Sequence, residues 1–298
     1  MYILCLMCIS LLSAQDRYET GRIIDSILVS SDIEESYSLY LPKKHNPNNL
    51  NSIVFIFDPL GRGPNGLRPF IPTSEKYNYI LVCSNDSKNG PYQKNFDIAN
   101  RLFGSVFENF NIDPEQIYVA GFSGGSRFST AIAVLTEQMQ AVIACGSGFS
   151  DNISYAPVAP VFSYAGIVGD RDMNYNEMRN NRVFLNKLGF TNSLFVFEGN
   201  HRWPPPESIL EVFDWLQIIA FKKGIRTKNY NEIESIFNTM YNKAMMASNI
   251  IDKEALLDRI CESFISLLNL FIYYTSKCYK DRHILLLLLY YLNIIKLS

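Results

Sequence analysis

The stretch that decides the fold reads Ile117-Tyr118-Val119-Ala120-Gly121-Phe122-Ser123-Gly124-Gly125-Ser126-Arg127. An apolar run suited to a buried strand gives way to a glycine-flanked serine, and helix-forming spacing continues from about Arg127 to Met139. A serine at a strand–turn–helix junction has its hydroxyl lifted above the sheet. Glycines are needed on both sides because the turn is tight and crowded. The backbone N–H of Gly124 then faces the same space at a helix N-terminus. The bland alternative is a glycine-rich turn in which Ser123 only caps the helix.

On either side of this stretch, strand and helix signals alternate. Tyr37 to Leu41 alternates polar and apolar and stops at Pro42, as an edge-side strand would. Ile53 to Phe57 and Tyr79 to Cys83 are continuous apolar runs of the kind buried on both faces of a parallel sheet. Phe96 to Phe110 carries helical spacing, and strands are expected over 116–120, 141–145, 161–167 and 194–197. Helices are expected over 178–188 and from Glu207 to about Phe221. The pattern predicts an α/β class: a doubly wound, mostly parallel sheet. Ligands of such sheets bind outside the carboxyl ends of the strands.

A serine hydroxyl needs a base to take its proton, and histidine is the usual one. The chain has three histidines. His45 precedes the serine, and His283 lies in a Leu-rich tail. His201 sits in Gly199-Asn200-His201-Arg202-Trp203-Pro204-Pro205, directly after the last expected strand, and is the candidate base. The acid that orients it should come after the strand 161–167, where Asp170 and Asp172 both stand; Asp151 is a more distant third. Phe122, Tyr175 and Trp203 flank this constellation and serve equally well as an aryl-accepting wall or as local core.

A second motif competes. Gly61-Arg62-Gly63-Pro64-Asn65-Gly66 is a literal G-x-G-x-x-G after a strand, and Asp86 stands where a ribose-binding acid would. That site requires a helix whose N-terminus holds a pyrophosphate. Pro64, Pro69 and Pro72 interrupt the segment that would have to form this helix, so the dinucleotide reading is set aside.

The pieces YSLYLP (37–42), IVFIFDPLGRG (53–63), IDPEQIYVAGFSGGSR (112–127), GDRD (169–172) and GNHRWPP (199–205) resemble the α/β-hydrolase superfamily. They look most like its single-domain serine esterases of the dienelactone-hydrolase, feruloyl-esterase and polyhydroxybutyrate-depolymerase types. The resemblance covers about 20–222. It implies the triad Ser123, Asp172 and His201, with Asp172 preferred to Asp170 because the family's acid closes a G-x-x-D turn. It also implies an oxyanion hole built from Gly124 and the residue after a His-Gly turn. Here that turn is Asp58-Pro59, and since proline donates no N–H, Leu60 becomes the expected second donor.

The expected activity is therefore a serine hydrolase cleaving carboxylic esters through an acyl-enzyme intermediate, without metal or cofactor. Its substrate would be a small-molecule or polymer-linked ester. Two other classes fit the same residues. One is a catalytically inactive hydrolase-fold binding protein whose tail carries a partner site. The other is a peptidase or acyltransferase using the same triad.

The chain has 298 residues, 48% of them apolar and 19% charged, so it can bury a substantial core. Twenty-seven basic against 29 acidic residues give a formal charge of -2, with no basic footprint for nucleic acid. Tyr2 to Leu12 is an apolar run succeeded by Ser13 and Ala14, read as a signal peptide (1–15) although no Lys or Arg precedes it. A secreted or periplasmic protein is thus expected. Cys5 and Cys8 fall inside that segment, and Cys83 and Cys145 sit in apolar runs as buried thiols. The hydrolase domain is expected over 16–224. A helical accessory region occupies 225–298, with helical spacing through 230–274. Its apolar stretch 284–295 is too short to span a bilayer, and peripheral membrane contact through this tail is the minor reading. The stretch Gly146 to Pro160 leaves little room for a lid.

Overall fold

The structure is a computed structural model and describes residues 18–150, 152–264 and 267. The expectations placed on 1–15, on Asp151, on His283 and on 284–295 lie outside the described residues.

The seven expected strands, joined by an unexpected first strand, assemble into an eight-stranded sheet of order β1-β2-β4-β3-β5-β6-β7-β8. In chain order these are β1 Ile23–Ser30, β2 Ile33–Tyr40, β3 Asn51–Phe57, β4 Tyr79–Ser84, β5 Ile112–Phe122, β6 Ala141–Cys145, β7 Ser163–Gly169 and β8 Asn192–Phe197. The β1–β2 and β2–β4 pairings are antiparallel and all others are parallel. The continuous apolar runs become the central strands: every residue of β4, β6 and β7 is buried, and all of β3 except Ser52. Such strands are stable only with both faces covered.

One expected feature is corrected. The edge strand is β1, and β2 lies inside it between β1 and β4. β1 is half exposed, and its register shifts between Ile24 and Ile27, around Ser26 with φ 58°. That bulge spoils the period of two by which a half-buried strand is recognised.

The helices are α1 Gly63–Leu67, α2 Ile71–Tyr77, α3 Tyr92–Asn109, α4 Gly124–Thr136, α5 Tyr175–Lys187, α6 Pro206–Lys223, α7 Tyr230–Met246 and α8 Ile250–Phe264. In α3 the buried positions Ile98, Ala99, Leu102, Ser105 and Val106 recur at helical spacing. Ala99, Leu102 and Val106 join Phe55, Phe57, Val82, Val119, Phe128 and Ile132 in the main core. α4 packs along β3, β5 and β6, and α5 along β7 and β8. The prolines after Gly63 do divide the segment into three short pieces. Each piece starts with a proline at its first or second position, where the missing N–H costs nothing. Gly63 N–H donates to Asn85 Oδ1, and a Cβ on Gly63 would meet that oxygen at 2.1 Å. This helix start is filled by protein.

The chain divides into two compact units, Met1–Leu210 and Glu211–Ser298, the division falling inside α6 and ahead of the boundary expected at 224. In the second unit Ile218, Phe221, Ile233, Ile236, Phe237, Met240, Ile260, Cys261 and Phe264 form a separate apolar cluster. The Asn229 side chain caps α7 by accepting from Glu232 N–H, and Glu211 receives both Lys243 and Arg259. No helix among the described residues is long and apolar enough to cross a membrane.

Candidate active site

β5, β7 and β8 are parallel neighbours or near neighbours, so the residues that come after them gather at one end of the sheet. Ser123 succeeds β5 and opens α4. Its backbone has φ 53° and ψ -120°, unlike Asn78 and Glu137, whose positive φ values belong to ordinary left-handed helix ends. A non-glycine residue in this sparsely allowed region is held there by its surroundings. Gly121 and Gly125 make the turn possible by close approach: a Cβ on Gly121 would stand 2.2 Å from Gly125 O, and one on Gly125 would stand 2.1 Å from Phe57 O.

The three candidate side chains meet. Ser123 Oγ lies 3.0 Å from His201 Nε2, and His201 Nδ1 lies 2.9 and 3.0 Å from the two carboxylate oxygens of Asp172. A neutral imidazole that donates from Nδ1 to the carboxylate accepts the serine proton at Nε2. The Asp172 side chain is fully buried, and its Oδ1 also accepts the Asn174 N–H at 2.8 Å. Asn174 Nδ2 in turn donates to Gly146 O, which ties the acid's turn to the loop after β6.

Asp170 has a different place. Its Oδ1 accepts the Gly199 N–H at 2.8 Å, and its Oδ2 faces Arg171. It braces the loop that carries His201 and does not touch the imidazole.

The departure at Asp58-Pro59 also has an explanation. Asp58 is 1% exposed and acts as a strut. It accepts Trp203 Nε1–H at 2.9 Å, Leu60 N–H at 2.9 Å and the Arg62 guanidinium at 3.0 and 3.2 Å. Burial raises the Asp58 pKa, but these hydrogen bonds and the Arg62 charge outweigh it and hold the carboxyl below 3.8. The Leu60 N–H, expected as the second oxyanion donor, donates here to Asp58, and the Leu60 side chain is 61% exposed. Gly124 N–H, in the first turn of α4, has no carbonyl partner within its own helix.

The aromatic residues sort accordingly. Phe122 packs its ring 4.7 Å from His201 and 5.4 Å from Trp203, and Trp203 meets Phe70 edge-on. Tyr175 is partly buried against the main core. Phe122 and Trp203 form the backing of His201. The space in front of Ser123 is a cleft of about 350 Å³ bounded by Lys88, Asn89, Tyr92, Arg127, Phe128 and Asn174, among others. Tyr92 and Phe128 are its aromatic walls, and sequence reasoning misses both because neither carries a motif that ties it to Ser123 or His201. Arg127 is held by Phe149 O and by Glu177 at 2.7 Å. The segment after β6 carries one 3-10 turn, Ile153–Tyr155, among its described residues, and no lid domain.

Cys83 and Cys145 are buried free thiols, and burial pushes both pKa values up, so neither is a ready nucleophile. No group of three or more His, Cys, Asp or Glu with metal-binding placement occurs among the described residues.

No protein-family model matches the chain, and no curated protein matches it. Solved structures do. S-formylglutathione hydrolase (FrmB) from Staphylococcus aureus superposes with TM-score 0.53 at 11% identity, over 67% of this chain and 98% of its own. Thermogutta terrifontis esterase 2, phosphonylated by sarin, gives 0.52 at 14% identity over 72% and 99%. The feruloyl esterase module of Clostridium thermocellum, complexed with sinapinate, gives 0.51 at 14% identity over 64% and 84%. At these identities the likeness is one of fold. The chain has the α/β-hydrolase fold, a mostly parallel eight-stranded sheet with flanking helices.

Proposed function

We propose that the protein is a serine hydrolase that cleaves carboxylic esters, small or polymer-linked, through Ser123, His201 and Asp172. The observation that carries the reading is the continuous line of hydrogen bonds from Ser123 Oγ through His201 to the buried Asp172 carboxylate, in a cleft open to solvent. The fold neighbours named as esterases support the same reaction class.

In this mechanism Ser123 Oγ bonds to the ester carbonyl carbon while His201 Nε2 takes its proton. The carbonyl electron pair moves onto oxygen, where Gly124 N–H receives it. Asp172 fixes the imidazole tautomer and stabilises the imidazolium. Collapse expels the alcohol, which takes the proton from His201. Water, deprotonated by the same imidazole, then hydrolyses the acyl-enzyme. Export of the protein rests on the apolar run 2–12.

The test is turnover of p-nitrophenyl acetate and butyrate by the whole chain beside Ser123→Ala. The reading predicts a loss of about 10⁴-fold or more in the variant. Equal, negligible rates in two folded proteins would refute it and favour the binding-protein alternative. Faster release from amide substrates, or transfer to added alcohols, would redirect the reading to a peptidase or an acyltransferase.

A further inference from the structure

Stabilising an oxyanion in this fold takes two converging donors, and the backbone of this chain leaves one place unfilled. Pro59 has no N–H, and Leu60 N–H is consumed by the Asp58 carboxylate. Asp58 is itself locked by Arg62 and Trp203, so Leu60 is released only by dismantling a buried network.

The loop after β4 lies over this turn. Asn89 N–H donates to Pro59 O at 2.9 Å, and Leu60 and Lys88 form an isolated antiparallel bridge. The loop is pinned from below by the buried Asn95, whose Oδ1 accepts Lys88 N–H and whose Nδ2 donates to Lys88 O at 2.8 Å. The pinning brings the Asn89 side chain onto Gly124. A Cβ added to Gly124 would meet Asn89 Oδ1 at 1.9 Å and Nδ2 at 3.3 Å, and its three nearest atoms would all belong to Asn89.

Most side-chain donors around the cleft are already engaged. Asn174 Nδ2 goes to Gly146 O, Asn95 Nδ2 to Lys88 O, and Arg127 to Phe149 O and Glu177. The Asn89 amide lines the cleft with Ser123 and Gly124 and lies against the residue that supplies the first donor.

We infer that the Asn89 carboxamide is the second oxyanion donor of this site, standing in for the backbone N–H that Asp58-Pro59-Leu60 withholds. The assignment rests on the serine-hydrolase reading. As the Ser123 Oγ–carbon bond forms and the carbonyl electron pair moves to oxygen, Gly124 N–H and Asn89 Nδ2–H both donate to that oxygen. A half turn about the Asn89 Cβ–Cγ bond exchanges its two amide atoms and presents the nitrogen. No proton is transferred to or from the amide.

The experiment compares the whole chain with Asn89→Ala, Asn89→Asp and Ser123→Ala on p-nitrophenyl acetate. It also measures inhibition by a trifluoromethyl ketone, whose serine adduct carries the oxyanion. The expected result for Asn89→Ala is a kcat lower by about 10²-fold, KM within about threefold, and ketone inhibition weakened in parallel. Asn89→Asp keeps the shape but replaces the donor with a negative acceptor, so it should lose at least as much. A merely structural asparagine would tolerate that replacement. Should Asn89→Ala not fold, the near-isosteric Asp variant gives the reading.

A kcat within threefold of the unaltered chain in either folded variant overturns the assignment, as does a change confined to KM. Turnover by the unaltered chain that Ser123→Ala does not abolish would instead overturn the parent reading, and this assignment with it.

Discussion

Replacing Asp58 by Asn probes the strut that joins the turn after β3 to the loop of His201, 145 positions away in sequence. The substitution keeps the volume and removes the charge. Of the two carboxylate oxygens, one becomes an NH2 group that must face either Trp203 Nε1–H or the Arg62 fork, donor against donor. A hydrogen bond to a charged acceptor contributes about 1.5–3 kcal/mol, and a buried donor left unpaired costs about 1–3 kcal/mol. The Arg62 side chain is 46% exposed, so its ion pair adds little beyond the hydrogen bonds. The terms overlap, and the net expectation is a loss of about 2–4 kcal/mol at pH 7.

The pH dependence has a definite sign. Asp58 has its folded pKa depressed below 3.8, so its stabilisation is complete above the unfolded value and disappears as pH falls through the folded one. The gap between the unaltered chain and Asp58→Asn should therefore be constant from pH 7 to about 5 and shrink below about 4. Urea unfolding monitored by tryptophan fluorescence reads it, since Trp203 is one of two tryptophans and is bonded to Asp58. A loss under about 0.5 kcal/mol at pH 7, or a gap that does not shrink in acid, would refute the strut.

Other substitutions separate neighbouring roles. Asp172→Asn should lower kcat by about 10⁴-fold by favouring the wrong imidazole tautomer, whereas Asp170→Asn, which loosens the Gly199 contact and the exposed Arg171 pair, should cost less than about tenfold; the reverse order in p-nitrophenyl acetate turnover would exchange their assignments. Gly125→Ala would force a Cβ to 2.1 Å from Phe57 O and should destabilise the first unit by at least about 2 kcal/mol, so unchanged thermal unfolding would count against the tight turn. Burial, opposed in part by Asn51, holds the His45 imidazole below 6.5. Stability should accordingly fall as pH drops below that value, and His45→Leu should flatten the profile between pH 7 and 5, checked by unfolding at each pH.

The parts legible in the sequence are those whose cause is local. Ile53–Phe57, Tyr79–Cys83 and Ala141–Cys145 read as strands because burial on both faces demands an unbroken apolar run. Ser123, Asp172 and His201 can be singled out because the fold puts chemistry directly after strands, and the scarcity of histidine leaves few candidates.

The features that escape sequence reading depend on contacts between distant segments. β1 is a bulged edge whose half-exposed residues show no clean period. Backbone position alone points to Leu60, yet the side chain of Asp58 decides where its N–H goes. Trp203 reads equally as a wall for substrate or as local core, and its donation to that same carboxylate is signalled by neither reading. Asn89 carries no motif at all. Only the pairing of the loops after β3 and β4 brings it beside Gly124.

Whether Ser123 is an activated nucleophile is decided by covalent labelling with a fluorophosphonate, read by intact mass and peptide mapping. A working triad gives one adduct per chain, on Ser123, formed much more slowly in His201→Ala and absent in Ser123→Ala. No adduct on the folded unaltered chain, or an adduct on another serine such as Ser147, would show that the triad does not function as described.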